Sequence, residues 1–267
     1  TVDQSRAAAE LAPAPGPHQD RVVPMTPLVS SYRLQFSRDF TFDDACEVVP
    51  YLAALGVSAC YCSPYLRAAP GSTHGYDIVD HGALNPELGG EEGYRRLLAA
   101  LEVHGLSQIV DFVPNHMGID AKANAWWRDV LENGPSSPFA TFFDIEWDPI
   151  KPELKGKILL PILSDQYGLV LERGELQLAF EEGALVVAYG DQRLPINPRS
   201  QPPVFAHDLD ALSVRVGDDD PDLREFLSIL TELRNLPTSA ERDPRRIAER
   251  QREKEVARRR LASLASS

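Results

Sequence analysis

The first part of the chain switches between the apolar patterns of strands and those of helices. Residues 29–36 alternate polar and apolar side chains as a strand does, and residues 42–55 place apolar side chains at helical spacing. Residues 57–63 are a short apolar run between a glycine and a proline, which predicts a strand buried on both faces.

The same succession continues further along the chain. A long polar loop is predicted for residues 64–90, an amphipathic helix for residues 91–104 and a buried strand for residues 109–113. Because helices join the successive strands, parallel pairing is favoured. The order therefore predicts an α/β fold that contains three strands of a (β/α)8 (TIM) barrel.

The pattern changes after His116. A helix is predicted for residues 124–132, and residues 159–189 read as short strands separated by Arg173-Gly174 and Glu182-Gly183, both typical of hairpin turns. Helical periodicity then returns in residues 222–236. This stretch predicts an antiparallel insertion followed by helices.

Charge limits the classes of partner. The 267 residues carry a formal net charge of −13, which excludes a nucleic-acid partner because phosphate neutralisation needs a basic face. Residues 240–260 are the exception, with nine basic and five acidic side chains. The alternating signs favour a solvated helix there over a binding tail.

Cysteine usage and the N-terminal composition point to a cytoplasmic protein. Cys46, Cys60 and Cys62 are an odd set, and the last two share one face of a predicted strand, where core thiols are favoured over metal ligands. Residues 1–27 are rich in proline and alanine and predict a flexible arm. No segment has the length and apolarity of a membrane span, so no membrane partner is expected.

The loop after the second strand combines glycines, one aromatic ring and several hydrogen-bonding groups. It contains His74, Tyr76 and Asp77, and sugars need such a combination, because their C–H faces stack on a ring while their hydroxyls take directional bonds. The alternative is a structured loop whose polar groups satisfy its own backbone. The next strand favours the sugar interpretation.

That strand leads into the segment Asp111-Phe112-Val113-Pro114-Asn115-His116. Asp111 and Val113 are expected to point the same way along the strand, and Asn115 and His116 to lie at the barrel mouth, where such folds keep their chemistry. Asp111 could contact a ligand or could be a buried acid that holds loops together. His116 is better suited to a sugar hydroxyl than to packing.

Two other interpretations remain open. Carboxylates and imidazoles in the two loops could bind a metal, but no short zinc spacing occurs among them, so neither a metal nor another cofactor is expected. Trp126 and Trp127 could line a glucan subsite or could pack against the barrel.

Seven motifs give the chain a more specific resemblance. They are Tyr32-Arg33-Leu34-Gln35-Phe36, Pro50-Tyr51-Leu52-Ala53-Ala54-Leu55-Gly56-Val57-Ser58, Ser63-Pro64, Gly71-Ser72-Thr73-His74-Gly75-Tyr76-Asp77, Asn85-Pro86-Glu87-Leu88-Gly89-Gly90, Val113-Pro114-Asn115-His116-Met117 and Phe142-Phe143-Asp144-Ile145-Glu146-Trp147. From residue 32 to about residue 196 the chain resembles the α-amylase superfamily, and within it the maltooligosyl trehalose synthases, the (1→4)-α-D-glucan 1-α-D-glucosylmutases.

The resemblance implies roles for particular residues. Tyr76 would be the aromatic platform under the glucose at the scissile position, with His74, His116 and Asp77 also binding substrate. Asp111 would orient a downstream active-site arginine. Asn115 matches a position that binds calcium in many amylases, but the synthases are not generally calcium enzymes, so the metal site is left empty.

The resemblance also implies a domain organisation and an activity. Residues 28–117 would form the first three βα units of the barrel, and residues 118–267 an inserted α+β domain B after the third strand. The enzyme would be an isomerase of trehalose biosynthesis that converts the reducing-end α-1,4 linkage of a maltooligosaccharide, or of a starch-derived glucan, into an α,α-1,1 linkage.

The catalytic carboxylates of the family follow later barrel strands, and no residue of this sequence is assigned to them. We therefore expect an N-terminal portion whose partner is the remainder of the same enzyme, with its C-terminal barrel strands. A hydrolase of the same superfamily and a non-catalytic glucan-binding module are the alternatives.

Overall fold

The computed structural model describes residues 28–266, so the predicted arm of residues 1–27 lies outside the described part. The strands in chain order are β1 (Ser31–Leu34), β2 (Ala59–Cys62), β3 (Leu66–Ala68), β4 (Ile78–Leu84), β5 (Ser107–Val110), β6 (Gln177–Glu181), β7 (Ala184–Tyr189) and β8 (Gln192–Pro195). The helices are α1 (Phe42–Ala54), α2 (Gly90–Val103), α3 (Ala125–Asn133), α4 (Tyr167–Glu172), α5 (Pro202–Phe205), α6 (Leu209–Val216), α7 (Pro221–Asn235) and α8 (Pro244–Leu264).

The described chain divides into two compact units. Residues 28–63 and 88–111 form the first unit, and residues 64–87 and 112–266 form the second. The first unit contains β1, β2 and β5 with the two helices between them.

The sheet of the first unit has the predicted parallel pairing. Its strands lie in the order β1-β2-β5, and Leu34, Cys62 and Val110 occupy one register at its carboxyl edge. The sheet is not closed into a barrel within residues 28–266. Within these residues the first unit therefore contains three parallel strands of an α/β fold.

Strand β5 ends earlier than the sequence predicts. It stops at Val110, so the expectation that Asp111 and Val113 point the same way along one strand is wrong. The backbone N–H of Asp111 still donates to the carbonyl of Cys62 at 3.0 Å, and pairing stops there. The proline at 114 has no N–H to continue a ladder, which fits this early end.

Helix α1 begins where its sequence provides a cap. The side chain of Thr41 accepts from the backbone N–H of Asp44, and the Asp44 carboxylate accepts from the backbone N–H of Thr41 in return at 2.7 Å. The buried face of α1 includes Phe42, whose ring lies 5.6 Å from that of Tyr94 on α2. Arg96 of α2 adds two hydrogen bonds to one α1 carboxylate at the surface.

Both cysteines of β2 are core thiols, as predicted. Cys60 and Cys62 are fully buried, and burial raises the pKa of Cys62 to about 12. Within the described residues no helix has both the length and the apolar surface that a bilayer crossing demands.

The second unit corrects two predictions made from local pattern. Residues 64–90 were predicted as a loop but contain the antiparallel pair β3 and β4, whose register is irregular. The prediction was wrong because the polar and apolar residues of this stretch alternate too weakly to indicate strands. Residues 167–172 form helix α4, so Arg173-Gly174 follows a helix and is not a hairpin turn. Glu182-Gly183 does join β6 to β7, and β8 completes this antiparallel sheet.

Helix α8 is not the solvated helix that its charges predict. Arg250, Lys254, Ala257 and Leu261 recur at helical spacing and are buried, while the other charged side chains of α8 stay at the surface. The apolar part of this stripe packs with Ile229 and other residues of α7. The two basic members have partners in the interior: Lys254 pairs with Glu132 of α3, and Arg250 donates to Asn133 of α3 and to the Pro237 carbonyl.

Candidate functional site

The glycine-rich loop before β4 is closed by its own polar groups. The backbone N–H of Ala69 donates to the Asp77 carbonyl at 3.0 Å, so the two ends of the loop are joined. The Glu87 carboxylate accepts from the backbone N–H of Gly71 at 3.0 Å, which fixes the outer turn. These contacts hold residues 69–77 as a compact loop, the "platform loop" below.

The platform loop brings together three of the predicted site residues. The backbone N–H of Tyr76 donates to Nδ1 of His74 at 3.1 Å, and the two rings stack with centroids 6.1 Å apart. The Asp77 carboxylate lies 3.8 Å from the same Nδ1 and accepts from the Ser72 hydroxyl. His74 is more than half exposed, whereas Asp77 and Tyr76 are partly buried.

Gly75 has a position in this loop that a larger residue could not occupy. Its φ of +77° lies in the left-handed region, and a Cβ there would meet the Pro64 carbonyl oxygen at 2.5 Å. The glycine thus lets the chain turn tightly between the two aromatic side chains that flank it.

A second segment, residues 112–118, carries His116 and is bonded to the end of the platform loop. The backbone N–H of Gly118 donates to the Ile78 carbonyl at 2.8 Å. His81 Nε2 lies 3.0 Å from the Val113 carbonyl oxygen in hydrogen-bond geometry. His116 itself is exposed. Hydrogen bonds therefore hold the segment on both sides of His116. That Tyr76 and His116 bind the same sugar stays a prediction.

Asp111 belongs to the first unit, whereas the other four predicted residues belong to the second. Its Oδ2 lies 3.2 Å from Arg33 Nη1 and 3.4 Å from the Tyr61 hydroxyl. The Arg33 guanidinium also lies over the Tyr61 ring, 4.3 Å from its centroid. These three residues form a polar cluster just at the carboxyl edge of the parallel sheet.

Sequence reasoning did not single out the partners of the predicted residues. Arg33 and Tyr61 share a register position on β1 and β2, a signal that could be read only once the pairing was known. No spacing in the sequence marks the contact of His81 with Val113. Ser72 lies in the motif that begins at Gly71, but no role was predicted for it.

Trp126 and Trp127 lie in different environments. Trp127 is buried in a cluster with Val130, and its ring centroid lies 5.0 Å from that of Phe143. Trp126 is half-buried and stacks on Phe139 with a centroid distance of 5.8 Å. Packing therefore accounts for Trp127.

A metal centre would need several ligands at one point. Within residues 28–266, no three histidine, cysteine, aspartate or glutamate side chains come together in a way that could hold a metal ion. His74 and His81 contact backbone groups instead, and Asp111 pairs with the side chain of Arg33.

Comparisons with known proteins identify relatives of the chain. Residues 43–167 match the alpha amylase catalytic domain family. A putative maltooligosyl trehalose synthase of Mycobacterium tuberculosis (strain CDC 1551 / Oshkosh) is 44% identical over 184 residues, which are 65% of this chain and 22% of that protein. The chain is a homologue of maltooligosyl trehalose synthases in the α-amylase family.

Solved structures support the same relationship for the fold. The crystal structure of a maltooligosyl trehalose synthase matches with a TM-score of 0.58 and 41% identity, covering 62% of this chain and 22% of that one. The maltooligosyltrehalose synthase of Arthrobacter ramosus matches with a TM-score of 0.56 and 41% identity, covering 64% and 21%. The chain thus spans about a fifth of the length of these relatives, and the resemblance read from the sequence is confirmed.

Proposed function

We propose that this chain supplies substrate-binding residues to an α-amylase-type isomerase, which converts the reducing-end α-1,4 linkage of a maltooligosaccharide into an α,α-1,1 linkage. The observation that carries the proposal is the platform loop, in which one aromatic ring and one imidazole are stacked and fixed by backbone hydrogen bonds. The 44% identity to a putative synthase supports the choice of reaction within the family.

The loop suits a glucose ring in its chemistry. The Tyr76 ring offers an apolar surface for the C–H face of the sugar, and His74 and His116 are exposed imidazoles that can bond its hydroxyls. Asp77 Oδ1 accepts from the Ser72 hydroxyl and also lies 3.8 Å from His74 Nδ1. Asp111 would orient an active-site arginine that lies further along the enzyme.

The proposed reaction needs two displacements at one carbon. A carboxylate attacks C1 of the penultimate glucose, the C1–O4 bond breaks, and the leaving oxygen takes a proton from an acid. The released glucose then turns and attacks C1 with its anomeric hydroxyl, whose proton returns to the same group. The α configuration is kept, and the pocket must exclude water throughout.

We assign none of these carboxylates to the present residues. The described residues after β8 form helices and turns, and the resemblance places the nucleophile and the acid after later barrel strands. We therefore propose that the catalytic carboxylates belong to the remainder of the same enzyme and that this chain binds the glucan.

Incubating maltopentaose with the protein as its gene encodes it tests this function. A loss of reducing ends without release of free glucose supports the isomerase. A steady rise in reducing ends favours the alternative of an α-glucan hydrolase, and saturable binding with no change in reducing ends favours a non-catalytic glucan-binding module. Absence of both binding and conversion contradicts all three.

A further inference from the structure

The hydrogen bonds around His74 specify where its ring proton lies. A neutral imidazole has one donor nitrogen and one acceptor nitrogen. Because the backbone N–H of Tyr76 donates to Nδ1 at 3.1 Å, Nδ1 is the acceptor and the proton of the neutral ring is on Nε2. His74 therefore presents an N–H donor on the side away from Tyr76.

The neighbouring carboxylate opposes that arrangement. Asp77 Oδ1 lies 3.8 Å from the same Nδ1, and a carboxylate oxygen in this position attracts a proton to the nitrogen it faces. If Nδ1 carried a proton, it could no longer accept from Tyr76. The loop would then lose the bond that ties the Tyr76 backbone to the imidazole.

Ser72 resolves this competition. Its hydroxyl donates to Asp77 Oδ1, the oxygen that faces His74, and accepts from the backbone N–H of Gly75 at 3.1 Å. One hydroxyl thus satisfies the carboxylate with a donor other than His74 and also fixes the residue before Tyr76. No other side-chain donor to Asp77 is found among the described contacts of this loop.

We propose that Ser72 is a positioning residue, which keeps His74 in the Nε2–H form and thereby sets the orientation of Tyr76 for a glucan. The choice of a glucan as the ligand rests on the proposed function, but the location of the His74 proton does not. Ser72 touches no substrate in this account and acts through Asp77, Gly75 and His74.

The chain offers a matched control in Ser137. Its hydroxyl also donates to a carboxylate, Asp129 Oδ1 at 2.6 Å, and also accepts from a backbone N–H, that of Phe139 at 3.1 Å. Ser137 lies in the same unit but outside the platform loop. Ser72→Ala and Ser137→Ala therefore remove the same kinds of hydrogen bond. Only Ser72→Ala should change the orientation of Tyr76.

The test combines calorimetry with maltopentaose and imidazole ¹⁵N spectra of His74 in the intact protein. Ser72→Ala should weaken maltopentaose affinity about tenfold, whereas Ser72→Thr, which keeps the hydroxyl, and Ser137→Ala should each weaken it less than about threefold. In the spectra, Ser72→Ala should move the His74 proton from Nε2 toward Nδ1, and Ser72→Thr should leave it on Nε2.

The outcomes separate the two proposals. An unmodified protein that binds no maltopentaose contradicts the proposed function, while the spectra still decide whether Ser72 sets the His74 proton. A Ser72→Ala protein with an unchanged His74 spectrum overturns the positioning role, whatever its affinity. Equal loss of affinity in Ser72→Ala and Ser137→Ala also overturns it, because the effect would then be one of general stability.

Discussion

A Cβ on Gly75 would lie 2.5 Å from the carbonyl oxygen of Pro64, closer than any real contact of that kind. Gly71, four positions earlier in the same loop, has the same φ of +77°, but a Cβ added there would have no heavy atom of the described residues within 4 Å, its two chain neighbours apart. The two glycines therefore separate the effect of crowding from that of backbone conformation.

Gly75→Ala should displace the platform loop, whereas Gly71→Ala should only strain it. The left-handed conformation alone costs about 1–2 kcal/mol for an alanine. Gly75→Ala adds the collision with Pro64, so it should lower the free energy of unfolding further and abolish maltopentaose binding. Urea unfolding and calorimetry on both variants measure this, and equal behaviour of the two would contradict the crowding argument.

Asp111 should matter more for conversion than for stability. Its pairing with Arg33 is partly exposed, with 35% of the Arg33 and 19% of the Asp111 side chain accessible, so Asp111→Asn should cost no more than about 1 kcal/mol. If Asp111 orients an active-site group, conversion of maltopentaose should fall at least about tenfold.

Asp43→Asn is the control for that prediction. Asp43 accepts two hydrogen bonds from Arg96 in the same unit, on the surface between α1 and α2. Its replacement should leave conversion unchanged. Similar losses of conversion in Asp43→Asn and Asp111→Asn would show that Asp111 serves only the fold.

The buried charges between α3 and α8 should be strongly coupled. Lys254 Nζ lies 3.0 Å from Glu132 Oε2, with both side chains at most 5% exposed, and Arg258 binds the other oxygen of Glu132. Glu132→Gln leaves the buried lysine without that carboxylate and should cost about 3–5 kcal/mol. Glu132→Gln combined with Lys254→Met should cost less than Glu132→Gln alone, as a double-mutant cycle would measure; simple additivity would contradict the coupling.

Acid should weaken the second unit through the same carboxylate. Burial is the largest influence on Glu132 and raises its pKa, but Lys254 and Arg258 together outweigh burial, so the pKa lies below the ordinary 4.5. Because the folded state favours the ionised form, this stabilisation is complete above about pH 5 and is lost as the pH falls through the folded-state pKa.

Urea midpoints measured between neutral pH and about pH 3 check that sign. The midpoint of the unmodified protein should fall more steeply in acid than that of Glu132→Gln, which has no carboxyl to protonate at this position. Parallel curves for the two proteins would show that other groups cause the acid sensitivity.

Sequence pattern predicted the first unit well because its elements follow simple periodicity. The apolar run before Ser63 and the helical spacing from Phe42 onward each depend on short-range burial. Both elements form, and the strand has the parallel pairing expected of it. The end of β5 was predicted wrongly because Phe112 and Val113 continue the apolar pattern of the sequence after the backbone pairing has stopped at Asp111.

The second unit was harder to predict because distant side chains decide it. Nothing local shows that Lys254 and Arg250 are buried, since their acceptors, Glu132 and Asn133, stand on α3 far away in the sequence. A count of charges therefore predicts a solvated helix, and only the tertiary partners reverse that result.

The candidate site was predictable as a set of residues but not as a network. Tyr76 and His74 could be chosen for their chemistry and resemblance, whereas the hydroxyl of Ser72 and the contact of His81 with Val113 depend on loop geometry. Loop conformation carries little periodic signal, so these partners needed coordinates.

Calorimetric titration of the intact protein with maltopentaose, comparing Tyr76→Ala with Tyr51→Ala, measures whether the Tyr76 ring binds the glucan. Tyr51 is a surface tyrosine of α1 in the other unit, 63% exposed, and serves as the control. We expect Tyr76→Ala to weaken maltopentaose binding at least about tenfold, through the lost stacking surface, and Tyr51→Ala to leave it unchanged. Undiminished binding by Tyr76→Ala would show that the ring is not a platform for the sugar.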